Sequence, residues 1–245
     1  MTPESSPFSQ YVERPPNGRR LVVPDVHGCA NTLTTLLDRL ALTPQDQLFL
    51  LGDYIDRGPD SGGVLDKLRQ LAEGGFQVYP LRGNHEQYLL DASSYYGADE
   101  FRRYVTANNA ADVIDENARI YPHYRQFIEN LPYFYELDNF YLVHAGFNFG
   151  SPAPFRDYRA MIETRDFRAT PHQTNRKRVV HGHQVTSRRD IEDSLRRATV
   201  VIPLDNGCCF SRTPNGLIRA GNLVVGNLCC LELDTLTLTL QPNVE

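Results

Sequence analysis

Apolar positions change their spacing along this chain, and the changes mark out its elements. Arg20-Leu21-Val22-Val23-Pro24 is a short, mainly apolar run that stops at Asp25-Val26-His27-Gly28, which predicts a strand ending in a turn. Leu33, Leu36, Leu37 and Leu40 then recur at i, i+3, i+4 and i+7, the spacing of an amphipathic helix. Leu48-Phe49-Leu50-Leu51 is continuously apolar and runs into Gly52-Asp53, as a buried strand does. Ser61 is placed to cap a helix whose apolar positions are Val64, Leu65, Leu68, Leu71 and Ala72, closed by Gly74-Gly75. Residues 76–81 predict a third strand ending at Arg82-Gly83-Asn84-His85. Strand, helix, strand, helix, strand in this order implies a sheet core with right-handed crossovers.

Residues 86–131 lose the alternation and predict several helices. One carries Phe101, Tyr104 and Val105, another Tyr124, Phe127, Ile128 and Leu131. This stretch reads as a helical insertion, or lid, beside the main sheet. Phe140-Tyr141-Leu142-Val143 resumes the strand signal and ends at His144. Beyond residue 199, short strands and Gly/Asn turns dominate, at 199–204, 217–220, 223–225 and 228–240. They predict a second, antiparallel sheet packed on the first. The expected organisation is a tail over residues 1–18 and a single α/β (α+β) domain over 19–245, a two-sheet sandwich flanked by helices.

The chain's 245 residues suit one domain with a large core. The first eighteen are rich in Ser, Pro and Glu, with no apolar run, and read as a loose tail, not a signal peptide. No apolar stretch reaches membrane-spanning length. The five cysteines, four of them in the adjacent pairs Cys208-Cys209 and Cys229-Cys230, make a poor disulfide framework. A cytoplasmic protein with no membrane partner is the expectation. Net charge is -5, yet residues 156–197 hold eleven Lys and Arg against six Asp and Glu. Only Lys67 and Lys177 are lysines, and the planar arginine fork suits phosphate. The overall charge does not indicate nucleic-acid binding.

Chemistry gathers at the strand ends. Asp25 and His27 are two apart, so in an extended segment both leave one face and can grip one cation. Asp53 would be costly to bury unpaired, and its two oxygens can bridge two cations. Asn84 offers an amide oxygen, and His85 beside it must point elsewhere, where it suits a general acid partnered by Asp56. His144 follows a buried strand. His181 and His183 repeat the period-two spacing, so both should face one way, and spacing does not say which of them binds. Each motif alone is also a common turn. Their succession at strand end after strand end supplies nitrogen and oxygen ligands without cysteine, which points to two divalent ions, manganese first, with iron and zinc as further fits.

Asp-x-His, Gly-Asp-x-x-Asp-Arg-Gly, Gly-Asn-His-Glu, His-Ala-Gly and Gly-His in this order resemble the phosphoprotein phosphatase branch of the calcineurin-like metallophosphoesterases. Within that branch the chain looks like the small bacterial and phage serine/threonine phosphatases. The resemblance implies that Asp25, His27 and Asp53 hold one metal and Asp53, Asn84, His144 and His183 the other. It implies His85 as acid steadied by Asp56, phosphate contacts from Arg57, Arg82 and Arg165, and a metal-bridging hydroxide as in-line nucleophile. The expected substrates are phosphorylated proteins, peptides or small phosphoesters, with serine/threonine or dual specificity. A symmetrical diadenosine tetraphosphate hydrolase is the runner-up, and a scaffold without activity is third. Pro24 and Asp205-Asn206-Gly207 depart from the family pattern, and the role of Asp205 stays open.

Overall fold

A computed structural model describes residues 9–210 and 225–245. Its strands are β1 (Ser9–Tyr11), β2 (Arg20–Val23), β3 (Gln47–Leu50), β4 (Gln77–Pro80), β5 (Phe134–Glu136), β6 (Phe140–Val143), β7 (Arg178–His181), β8 (Val201–Pro203), β9 (Asn227–Glu232) and β10 (Thr237–Pro242). The helices are α1 (Ala30–Arg39), α2 (Ser61–Glu73), α3 (Asn84–Tyr95), α4 (Ala98–Ala107), α5 (Pro122–Glu129), α6 (Tyr158–Glu163) and α7 (Arg188–Arg196). Among the described residues no helix is long and apolar enough to cross a membrane.

Two five-stranded sheets form, ordered β10-β9-β2-β3-β4 and β1-β5-β6-β7-β8. Because side chains alternate along a strand, each central strand feeds two cores. Leu21, Val23, Leu48 and Leu50 face the layer of α1 and α2. Val22, Phe49 and Leu51 face the other way and pack with Tyr135, Leu142, Val180 and Ile202 of the second sheet. Outside that sheet, Phe134, Tyr141, Val143 and Val179 pack with Met161 and Ile162 of α6. The central strands β2, β3 and β6 are mainly apolar because both faces are covered.

The β2-α1-β3-α2-β4 series follows the pattern read from the sequence, and its strands are parallel. Three expectations change. The terminal strands do not make a second sheet, since β9 pairs antiparallel with β2 and extends the first one. The expected strand over 228–240 is a hairpin of β9 and β10, and the expected strands at 217–220 and, but for Val225, at 223–225 lie outside the described residues. Apolar spacing shows that a strand is buried but not which neighbour it joins. Part of the expected loose tail is also structured: Ser9–Tyr11 pairs in parallel with β5, and Val12 behind it is buried. A third, smaller change is that Asp60, not Ser61, caps α2, accepting from the Gly63 N–H at 2.8 Å.

Asp46 ties the approach to β2. It accepts from the Arg19 N–H (2.8 Å), Nε (3.1 Å) and Nη2 (2.7 Å) and from Thr43 N–H (2.9 Å). Burial alone would raise its pKa, but the Arg19 and backbone bonds outweigh it and hold the carboxyl well below the usual range. A depressed carboxyl stabilises the fold above its unfolded pKa of ~3.9 and loses that contribution as pH falls toward the folded value. Asp46→Asn is therefore expected to lose about 1–3 kcal/mol in urea unfolding at pH 7. The gap from the wild type should narrow at pH 3, and an equal gap at both pH values would contradict the ion-pair account.

Candidate metal centre and active site

Six parallel strand ends meet at one edge of the sandwich: β2, β3 and β4 from one sheet and β6, β7 and β8 from the other. The loops leaving them are tied to each other by backbone bonds. Val26 and His27 N–H both donate to Asp53 O, and Gly182 N–H donates to His144 O at 2.8 Å. Several of these loop residues adopt positive φ without being glycine: His27 (48°), Asp53 (53°), Asp56 (70°), Arg57 (68°) and His183 (63°). Such backbone is held in place by its surroundings and concentrates at functional sites. It also changes one expectation. Asp25 and His27 converge through a left-handed turn, not as alternate residues of an extended strand.

The convergence is tight. His27 Nε2 lies 3.6 Å from Asp53 Oδ2 and 4.0 Å from Asp25 Oδ2. His144 Nε2 lies 3.5 Å from Asp53 Oδ2, 2.9 Å from Asn84 Oδ1 and 3.2 Å from His183 Nδ1. His183 Nδ1 is 2.9 Å from Asn84 Oδ1. Asp25 reaches the group under Gly182, where a Cβ would sit 2.2 Å from Asp25 Oδ1, and accepts from the His183 N–H at 2.9 Å. Gly83 gives the same room to Asp53.

The donor set fits two divalent cations. His27 Nδ1 and His144 Nδ1 face the carbonyls of Ile55 (2.9 Å) and Leu51 (2.8 Å), so those nitrogens carry the protons. Each Nε2 is then a lone pair aimed at other electron-rich oxygens. Burial chiefly lowers the pKa of His27 to about 3 and of His183 to about 3, and it lowers His144 as well. Neutral imidazole is the form that binds a metal. Asp25 is pushed up by burial and then by the Asp205 and Asp53 carboxylates. Lone pairs facing lone pairs among buried carboxylates are stable only around cations. Among the described residues two groups bring possible ligand atoms within 4.8 Å of one another, His27 with Asp53 and His85, and Asp53 with His144 and His183.

His85 stands at the rim, 13% exposed at its side chain. Its Nδ1 lies 2.5 Å from Asp56 Oδ2, its N–H donates to Asp53 Oδ1 at 3.0 Å, and Arg57 Nη2 approaches its Nε2 at 3.1 Å. Burial disfavours its charged form, but the Asp56 bond and the Asp53 and Asp56 charges prevail and raise its pKa. Asn84 and His85 belong to the first turn of α3, not to a loop, so this helix start aims them to different sides.

Arg165 is exposed, and its charge reaches His183. Arg82 departs from expectation. Its Nη2 donates to the Ile128 and Glu129 carbonyls at the end of α5 (2.9 and 2.7 Å), and its Nη1 faces Gln87 Oε1 and the Tyr133 hydroxyl. Its guanidinium also lies over the Tyr133 ring at 5.1 Å. Arg82 is a helix-end clamp, and both terminal nitrogens are engaged away from any phosphate. His181, the other half of the Gly-His pair, packs edge-on to Phe167 with its Nδ1 facing Gly182 O, so the two histidines do not face one way.

Two acids at the centre lacked a sequence assignment. Glu86 is fully buried and accepts from the Asp53, Tyr54 and Gly83 N–H groups (2.8, 2.7 and 3.0 Å), gripping two metal-side loops at once. Burial first, then the Asp53 charge, pushes it up to about 7. Asp205 is buried beside Asp25, accepts from the Gly207 N–H at 2.7 Å and is pushed up to about 6, mainly by burial. The available signal was positional: Glu86 lies at the third position of a helix and Asp205 just after a strand.

The family described as Calcineurin-like phosphoesterase matches residues 18–209. "Bis(5'-nucleosyl)-tetraphosphatase, symmetrical" of Erwinia tasmaniensis is 38% identical over 39% of this chain and 34% of its own length. "Serine/threonine-protein phosphatase 1" of Salmonella typhimurium is 41% identical over 37% of this chain and 43% of its own. The matched stretches thus span less than half of these curated relatives. A solved serine/threonine phosphatase from Saccharomyces cerevisiae superposes with a TM-score of 0.62 at 16% identity, covering 98% of this chain and 84% of that one, a likeness of fold.

Proposed function

The chain belongs to the calcineurin-like phosphoesterases, and from that premise we propose that it is a metal-dependent phosphomonoesterase acting on protein serine and threonine phosphates. The observation that carries the reading is the Asp56–His85 pair, at 2.5 Å, beside a cluster of acceptors that suits two cations. Asp25, His27 and Asp53 would hold one ion, and Asp53, Asn84, His144 and His183 the other. Manganese suits this thiolate-free set, as do iron and zinc. When bound, the two ions supply Lewis acidity and a water acidic enough to act as nucleophile near neutral pH.

The protein's own residues do the rest. Arg57 and Arg165 bind the phosphoryl oxygens and offset the charge that grows on them. With Arg57 drawn to the phosphate, His85 Nε2 is released from it and can carry the proton given to the departing alkoxide. Asp56 accepts the Nδ1–H, fixing the tautomer and favouring the charged ring. Glu86 keeps the Asp53 loop and the start of α3 in register through three backbone bonds.

A second reading, cleavage of a symmetrical dinucleoside tetraphosphate, is favoured by the likeness to the Erwinia tasmaniensis protein. The test is phosphate release by metal-stripped protein given manganese. Phosphoserine, phosphothreonine and phosphotyrosine peptides are compared with diadenosine tetraphosphate at equal concentration. Faster peptide turnover is expected. Faster dinucleotide cleavage would replace the first reading by the second, and no turnover with manganese, iron or zinc would end both.

A further inference from the structure

The helices after the Gly-Asn-His-Glu motif carry an unusual run of tyrosines on the approach to the site. Tyr88 lies one turn along α3 from His85, and the two rings are 6.2 Å apart at 53°. It is 40% exposed, and its hydroxyl donates to Glu163 Oε1 of α6 at 3.2 Å. That bond pins the phenol across the rim, linking α3 to the segment that leads to Arg165. Farther out, Tyr104 of α4 lies 6.1 Å from Tyr96, and Tyr96 lies 5.3 Å from Tyr95. Tyr96 is also 40% exposed and Tyr95 is 84% exposed. The Tyr88 hydroxyl also interacts with the Asn84 side chain, but none of these rings is among the proposed metal ligands, the acid or the phosphate-binding arginines.

Charge narrows what the wall suits. Tyr104 is pushed up to about 12, first by burial and then by the charge of Asp56, with Tyr96, Tyr88 and Asp91 adding to it. Burial followed by Glu163 raises Tyr88 as well. Carboxylates bear on the wall: Asp56 and Asp91 at Tyr104, and Glu163 and Asp53 at Tyr88. An uncharged ring can meet aromatic faces and edges there without bringing further negative charge to these carboxylates. His85 fixes where the leaving oxygen sits, so the first group beyond that oxygen lies beside Tyr88.

We propose that Tyr88 is a specificity-determining residue, whose ring packs against the leaving group of aryl phosphomonoesters, the phosphotyrosine class, as that group departs past His85. The Glu163 bond holds the ring in place for this contact, and Tyr104 and Tyr96 extend the surface outward. This deepens the phosphomonoesterase reading above and rests on it. It names the side chain on which turnover of the aromatic esters of a dual specificity would depend.

The test uses the full chain loaded with manganese and two peptides of one sequence, carrying either phosphotyrosine or phosphoserine. Tyr88→Leu should lower kcat/KM for the phosphotyrosine peptide by about three- to tenfold. The phosphoserine peptide should stay within about twofold of the wild type. Tyr88→Phe keeps the ring and should preserve most of the wild-type ratio, which separates ring contact from loss of the hydroxyl's partners Glu163 and Asn84. Equal loss on both peptides with Tyr88→Leu would make Tyr88 a structural strut and overturn the assignment. If diadenosine tetraphosphate is the better wild-type substrate and alone suffers in Tyr88→Leu, the ring serves a nucleobase and the assignment also falls. Wild-type turnover of both peptides with an unmoved ratio defeats the Tyr88 assignment alone. No turnover of either peptide defeats the phosphomonoesterase reading and this one with it.

Discussion

Asp53→Asn is expected to abolish manganese-dependent turnover, with kcat down roughly a thousandfold or more. The same change should remove the stabilisation that manganese gives the wild type. Asp53 Oδ2 lies within 3.6 Å of both His27 Nε2 and His144 Nε2, so it is the group both proposed ion positions share. An asparagine keeps the shape and an acceptor for the His85 N–H but loses the charge. For wild-type protein, manganese at a hundred times its Kd should add ~2.7 kcal/mol of stability. In a chain of this size that corresponds to a rise in Tm of roughly 5–10 °C. Thermal melts with and without manganese, run beside metal analysis after dialysis, read the effect independently of activity. A variant that retained the full metal-dependent rise would remove Asp53 from the bridging position.

His85→Asn is expected to separate chemistry from metal binding. The kcat for a phosphoserine peptide should fall by about a hundred- to ten-thousandfold, the usual range for losing a general acid. An ester whose leaving group is already acidic, such as p-nitrophenyl phosphate, needs little protonation and should fall much less. Metal content should match the wild type, because His85 stands at the rim with its Nδ1 committed to Asp56 and its Nε2 facing Arg57. Equal losses on the two esters would assign His85 to phosphate binding. Unchanged turnover of phosphoserine would exclude it from catalysis.

The residues of the proposed centre were legible because each lies in a short motif at a strand end, and a motif at a strand end is local information. Asp25, His27, Asp53, Asn84, His85 and His144 could be read without knowing which strand lies beside which. Arg82 was misread for the complementary reason. Its motif puts it near the site, but its guanidinium follows the carbonyls at the end of α5, 46 and 47 residues away in the chain. Glu86 and Asp205 went unassigned because complete burial beside other carboxylates is a property of the assembled core.

The terminal strands teach the same lesson at the scale of the fold. Apolar runs announced strands there, yet β9 joins β2 across more than two hundred residues of sequence instead of founding its own sheet. A strand's edge bonds to any suitable backbone, so only packing chooses among possible partners. Sequence alone thus determined local matters: the β2-α1-β3-α2-β4 series and β6, where the polar motifs interrupt them, and that nitrogen and oxygen ligands recur without thiolates, whereas β1, β5, β7, α6 and α7 gave no comparable signal. Tertiary structure decided which strands share a sheet, that His181 turns away from His183, where Arg82 points and which tyrosines line the way in. The physical reason is that backbone periodicity acts over a few residues, whereas side-chain direction, burial and charge at a site are settled by neighbours that folding brings from far along the chain.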